Sequence, residues 1–116
     1  MKKVYYLSTC DTCKRILKDL ELQGKGFTLQ DIKKTPISEQ ELAFLKASVG
    51  SYEELFSKRS QKYKALGLKD KVLSEADYKN YILREYTFLK RPVIIVGDKV
   101  FVGNSPKTVA AAKQFI

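Results

Sequence analysis

Two rhythms of apolar and polar residues run along this chain, one of period two and one close to 3.6, and the elements follow from where each holds. Val4-Tyr5-Tyr6-Leu7 is a short β-branched and aromatic run bounded by polar residues, the pattern of a buried strand. Ser8-Thr9 turns the chain. From Cys13 onward Cys13, Ile16, Leu17 and Leu20 recur at helical spacing, with Gly24 read as the stop beyond the helix. Phe27-Thr28-Leu29-Gln30 alternates again and predicts a second strand, which a right-handed crossover sets parallel to the first. The chain opens as a βαβ unit.

The middle is helical. Pro36 is a turn residue, and Ser38 with Glu41 forms a capping-box pattern ahead of Leu42, Leu45 and Val49, closed by Gly50. Leu55, Phe56, Tyr63 and Leu66 support shorter helical pieces ending at Gly67, and Ser74 to Asp77 starts a further helix carrying Tyr78, Ile82 and Leu89. The period then returns to two. Val93 to Val96, the turn Gly97-Asp98 and Lys99 to Val102 predict a tight hairpin, and Ser105-Pro106 caps a last helix with Val109, Ala112 and Ile116 on one face. The fold class is therefore α/β: a mixed four-stranded sheet flanked by helices, the thioredoxin-like plan, with an all-helical insertion at about 36–90 in a single domain spanning 1–116.

Composition narrows the setting. With 116 residues, 44% apolar and 11% aromatic, the chain can bury one core. No stretch approaches the roughly 18 apolar residues of a membrane span, and the apolar run that ends at Ser8 is too short for a signal peptide. The expected compartment is the cytoplasm, without a membrane partner, where a pair of cysteines is more often catalytic or metal-binding than a structural staple. The net charge of +9 favours encounters with anions in general. Lys58, Arg59, Lys62, Lys64, Lys69 and Lys71 crowd one stretch in which Asp70 is the only acid, a pattern that by itself reads as a solvated face. No zinc-finger, RNP or basic-zipper signature accompanies it, so direct binding of nucleic acid is not expected.

The chemistry lies in Ser8-Thr9-Cys10-Asp11-Thr12-Cys13-Lys14-Arg15. Cys10 falls where a strand ends and a helix begins, so unpaired backbone N–H groups and the positive end of the helix dipole favour its thiolate. Lys14 and Arg15 are placed to add to that bias. Cys13, one turn on, shares the face of Leu17 and Leu20, which makes it the more buried thiol and the natural resolving partner. A lone CxxC is a weak sign; its place after a strand, on a helix start and in a βαβ unit makes a redox pair the better reading. Zinc needs about four ligands, and a chain with two cysteines and no histidine offers no such site, so no metal is expected. The missing histidine also excludes Ser-His-Asp and Cys-His catalysis.

Three segments together carry a resemblance: the strand ending in Cys10-Asp-Thr-Cys13, then Phe56-Ser-Lys-Arg59-Ser60 followed by Tyr63 to Leu68, then Leu89-Lys-Arg91-Pro92-Val-Ile-Ile before a hairpin. In that order and at this length the chain resembles the arsenate reductase/Spx family nearly end to end. The resemblance implies that Cys10 is the nucleophile that attacks arsenic in the reductases, or forms a reversible disulfide with Cys13 in Spx-type proteins. It implies that Arg91 faces that cysteine and binds its oxyanion, that Arg59 is a second oxyanion-binding arginine, and that Pro92 is the cis-proline of the thioredoxin fold. Guanidinium donors suit the task, since a thiolate attacking an oxyanion brings like charges together.

One departure bears on the substrate. The reductases carry a third arginine after the second hairpin strand, whereas Val102-Gly103-Asn104 stands there and no arginine follows Arg91. Two function classes stay open. One is a thiol-dependent oxidoreductase resembling arsenate reductase, with no bound cofactor, a small oxyanion or thiol substrate, Cys13 or glutathione as resolving thiol, and glutathione, glutaredoxin or thioredoxin as electron donor. The other is a Spx-like redox switch that binds RNA polymerase.

Overall fold

The computed structural model describes residues 1–116, which divide into two compact units, Met1–Thr35 with Arg91–Ile116, and Pro36–Lys90. The first unit is built on four strands, β1 (Lys2–Tyr6), β2 (Thr28–Asp31), β3 (Val93–Val96) and β4 (Lys99–Val102), in the order β2-β1-β3-β4. β1 runs parallel to β2, with Tyr6 opposite Asp31, and antiparallel to β3, with Tyr5 opposite Val93; β4 returns antiparallel to β3, with Val102 opposite Val93. The mixed four-stranded sheet read from the sequence is thus the sheet that forms. β3 and β4 have the bounds read from the sequence, whereas β1 and β2 are offset by one or two residues from their apolar runs. Lys2 and Lys3 join β1 because their backbone pairs with Val96 and Ile95, and Leu7 stays buried just past the strand's end. Ladder hydrogen bonds, not side-chain polarity, decide membership.

Helices α1 (Asp11–Asp19) and α5 (Pro106–Lys113) supply Ile16, Leu17, Leu20 and Ala112 to one face of this sheet, where they meet Val4, Leu22, Phe27 and Ile94. Tyr5, Val93 and Ile95 on the opposite face are buried as well, which accounts for the unbroken apolar run of β3. The Gly97-Asp98 turn places a glycine with φ of 63° at its first position, the conformation a two-residue hairpin demands. Ser105 accepts a hydrogen bond from the Thr108 N–H at 3.2 Å and Pro106 takes the first helical position.

Gly24 does not end α1. The helix stops at Asp19, Glu21 takes the left-handed conformation with φ of 55°, and Gly24 lies inside a short 3-10 turn, Leu22–Lys25, that closes on Gly26. The reason is Leu22, which must turn back into the core and is fully buried there; that burial outweighs the steric cost of a left-handed glutamate.

In the second unit, α2 (Glu39–Val49) and α4 (Glu75–Arg84) both begin in complete capping boxes, Ser38 with Glu41 and Ser74 with Asp77. Between them α3 (Gln61–Ala65) buries nothing, and Leu66 is exposed rather than core. Leu89 is not on α4, which ends at Arg84; it follows the 3-10 turn Tyr86–Phe88 and bridges to Phe56 as isolated β pairing. Phe56 gathers this core, with ring centroids 4.9 Å from Tyr78 and 5.0 Å from Phe88.

Leu22→Ala removes a fully buried side chain from the sheet-and-helix core and should cost about 2–5 kcal/mol in urea unfolding. Leu66→Ala, at an exposed position, should cost within about 0.5 kcal/mol.

Candidate functional site

The register of β1 with β3 converges the motif residues. Tyr5 faces Val93, so the chain leaving β1 toward Cys10 runs beside the chain entering β3 through Arg91 and Pro92. The Cys10 N–H closes a turn on the Leu7 carbonyl at 3.0 Å, and the Cys10 carbonyl accepts the first helical bond from Lys14 N–H at 3.1 Å. Cys10 is therefore the N-cap of α1, with extended backbone (φ −99°, ψ 109°) and its thiol at the amide-rich end of the helix. No cap hydrogen bond from its side chain closes. The peptide bond between Arg91 and Pro92 is cis, and Pro92 is buried under a half-buried Arg91.

The two thiols, both free, are driven apart in acidity. Partial burial alone would raise Cys10, but the Cys13 backbone amide and thiol, followed by the charge and donors of Arg91, outweigh it and hold Cys10 below the ordinary thiol value. Cys13 is fully buried. Burial, reinforced by the Cys10 sulfur and only partly offset by the Leu7 backbone and Arg91, pushes it up to about 12. The accessible sulfur is made the more acidic of the two and the buried one stays protonated at neutral pH.

Arg59 belongs to the other unit, on an exposed turn between Phe56 and α3. In the stretch where the reductases carry a third arginine, Val102 pairs with Val93, and the Gly103 N–H, with φ of 96°, donates to the Pro92 carbonyl at 3.0 Å. The hairpin thus returns to the Arg91–Pro92 corner with backbone instead of a guanidinium.

A residue the sequence did not single out also sits here. Asp31 ends β2 opposite Tyr6 and is buried. Its Oδ1 accepts from the Lys33 N–H at 3.1 Å, an Asx turn, and from the Ser8 N–H at 3.4 Å. Burial works against the Asp31 carboxylate, but Ser8, the Lys33 amide and Lys34 together hold it below its usual range. The available signal was an acidic residue at a strand end two positions before Lys33, a common turn pattern that did not advertise its reach to the loop before Cys10.

With this geometry in place, the comparisons decide the family. The profile describing the ArsC family matches residues 5–112. The chain belongs to the ArsC family. It is 32% identical over 102 residues to the uncharacterised protein YusI of Bacillus subtilis, covering 85% of this chain and 86% of that protein. It is 26% identical over 108 residues to an arsenate reductase of Haemophilus influenzae, covering 91% and 93%. Its fold matches the arsenate reductase from Vibrio cholerae with a TM-score of 0.78 at 22% identity, over 99% of this chain and 98% of that one. A Staphylococcus aureus protein matches with a TM-score of 0.76 at 28% identity, over 96% and 97%. The thioredoxin-like fold of the ArsC family thus extends to this chain, and no helix in it is long and apolar enough to cross a membrane.

Two measurements follow. Iodoacetamide should label Cys10 at lower pH than an ordinary thiol while Cys13 stays silent, with the Cys10 profile displaced to higher pH in Arg91→Ala and partly restored in Arg91→Lys; identical profiles in all three would remove Arg91 from the site. Because the Asp31 pKa is depressed in the fold, its contribution to stability is present above the ordinary carboxylate range and lost as pH falls through the lowered value. Asp31→Asn should therefore be less stable than the parent at neutral pH and converge with it in acid, as read by urea midpoints.

Proposed function

We propose that this chain is a thiol-dependent oxidoreductase of the arsenate reductase type, with Cys10 as nucleophile. The observation that carries the reading is the Cys10 thiol at a helix start, held below the ordinary thiol value by the Cys13 amide and thiol and by Arg91, beside a buried thiol pushed up to about 12. In the first step the Cys10 thiolate attacks the arsenic of arsenate, an S–As bond forms, and one arsenate oxygen leaves as water after protonation. Arg91 holds the oxyanion and offsets its repulsion of the thiolate, and Arg59 is the family's candidate for a second oxyanion-binding arginine. In the second step a thiol, Cys13 or glutathione, attacks the Cys10 sulfur. An S–S bond forms, the S–As electron pair stays on arsenic, As(V) becomes As(III), and the proton of the attacking thiol goes to the departing arsenite. Glutathione, glutaredoxin or thioredoxin then returns the disulfide to thiols. Nothing in these steps calls for a bound cofactor or metal.

A switch reading has its own observation. Cys10, the N-cap of α1, and Cys13, on its first turn, act on each other's sulfur, the CxxC arrangement that suits a reversible disulfide, and the hairpin lacks the third arginine. In that reading the pair opens and closes to change a surface read by a protein partner such as RNA polymerase.

The deciding assay is arsenate-dependent oxidation of glutathione, or of thioredoxin in a coupled system. Turnover should appear with the parent protein and fall to the background rate in Cys10→Ser, while Cys13→Ala shows whether the resolving thiol is internal. Absence of arsenate-dependent turnover with every donor, together with a reversible Cys10–Cys13 disulfide by mass spectrometry, would overturn the reductase reading in favour of the switch.

A further inference from the structure

Along α1, from Lys14, one turn beyond Cys10, toward the helix end, lies a cavity of about 730 Å³ lined by Lys14, Leu17, Lys18, Glu21, Gln23, Gly24 and Lys25. Its axis is set by the helix. Leu17 follows Cys10 by seven residues, close to two whole turns, and Lys14 and Lys18 follow by four and eight, just past one and two turns, while Glu21 lies beyond the helix end. The lining residues therefore form a stripe that begins one turn beyond Cys10 and runs on toward the 3-10 turn Leu22–Lys25. Leu17 forms an apolar floor, three lysines face one glutamate, and the ammonium groups stand on exposed residues. Asp11, whose carboxylate lies 3.6 Å from the Lys14 ammonium, is itself almost wholly exposed, so the ion pair is weak and readily exchanged.

We infer that this groove is the docking track for the protein that exchanges thiols with Cys10, and that it takes an extended acidic segment flanking that partner's reactive cysteine. The inference rests on Cys10 being the reactive thiolate. Length argues for a peptide: Lys18 lies about 12 Å along the helix from Cys10 at 1.5 Å per residue, roughly four residues of extended chain at 3.3 Å each. A tripeptide thiol such as glutathione, with its sulfur at Cys10, covers less of this track than a longer segment does. Charge argues for acid, since the lining is net positive in a chain of +9, and such complementarity acts mainly on the rate of productive encounter.

The test uses three disulfides of thionitrobenzoate: an acidic undecapeptide with a central cysteine flanked by aspartate and glutamate, its lysine counterpart, and glutathione. Attack by the Cys10 thiolate forms the mixed disulfide and expels the coloured thiolate, whose first-phase release gives the rate. The acidic peptide should react about tenfold faster than the basic one, and Lys18→Gln/Lys25→Gln should cut that preference to about twofold, as should about 1 M salt. The glutathione probe and iodoacetamide should not distinguish the double variant from the parent. An acidic preference unchanged in the double variant would assign it to Arg91 and overturn the groove, as would equal rates for the two peptides on the parent. Loss of glutathione reactivity alongside would mean a small-thiol site, against the proposal. Release arising at Cys13 rather than Cys10, located by mass spectrometry, would bring down the nucleophile assignment and the docking track together.

Discussion

The antiparallel ladder between β1 and β3 is the constraint from which the site follows. Val4 and Tyr5 pair with Ile94 and Val93 and all four are buried, so the register is held by apolar side chains on both faces of the sheet. A slip of one residue would turn every side chain of β3 to the opposite face and carry Arg91 with it. The guanidinium meets the thiol because the core fixes the ladder; no local feature near Cys10 selects its partner from the far end of the chain. The parallel pairing of β1 with β2 does the same for Asp31, and the return of β4 brings Gly103 to the Pro92 carbonyl. One end of the sheet collects all of them.

What could be read in the sequence was what local patterns encode. The N-cap position of Cys10, the burial of Cys13, the capping boxes at Ser38 and Ser74, and the hairpin around Gly97 are set by neighbours within four residues, and each is where its pattern put it. The misread positions are those where tertiary burial overrode the local signal. Gly24 looked like a helix stop, but Leu22 pulled the chain inward earlier and forced Glu21 into the left-handed conformation. Leu66 fitted a helical period yet lies on the solvent side of a helix that buries nothing, and Leu89 continued the period of α4 past the point where the helix had ended. Asp31 went unnoticed because its contact with Ser8 spans a strand pair, which no period reveals. Arg91 was found only through resemblance; an arginine before a proline has no pattern of its own.

The paired thiols also show how one turn of helix divides labour. Cys10 gains from the amide dipoles of the first turn and from Arg91, whereas Cys13 faces the core and loses contact with water. Both outcomes come from the same 3.6-residue geometry, since the i and i+3 positions at a helix start place one residue at the mouth and the next inside.

That division gives the oxidised pair a direction. In thiol–disulfide exchange the incoming thiolate attacks one sulfur and the other must depart, and departure is faster for the more acidic thiol. Here the accessible sulfur is Cys10, so a reductant arriving from solvent must expel Cys13, the poorer leaving group, into an apolar interior that stabilises its charge badly. The route that would expel the good leaving group requires attack on the sulfur that lies buried in the reduced protein. A donor that reopens a bond between these two residues would therefore have to bring an acid for the inner sulfur as well as a thiol for the outer one.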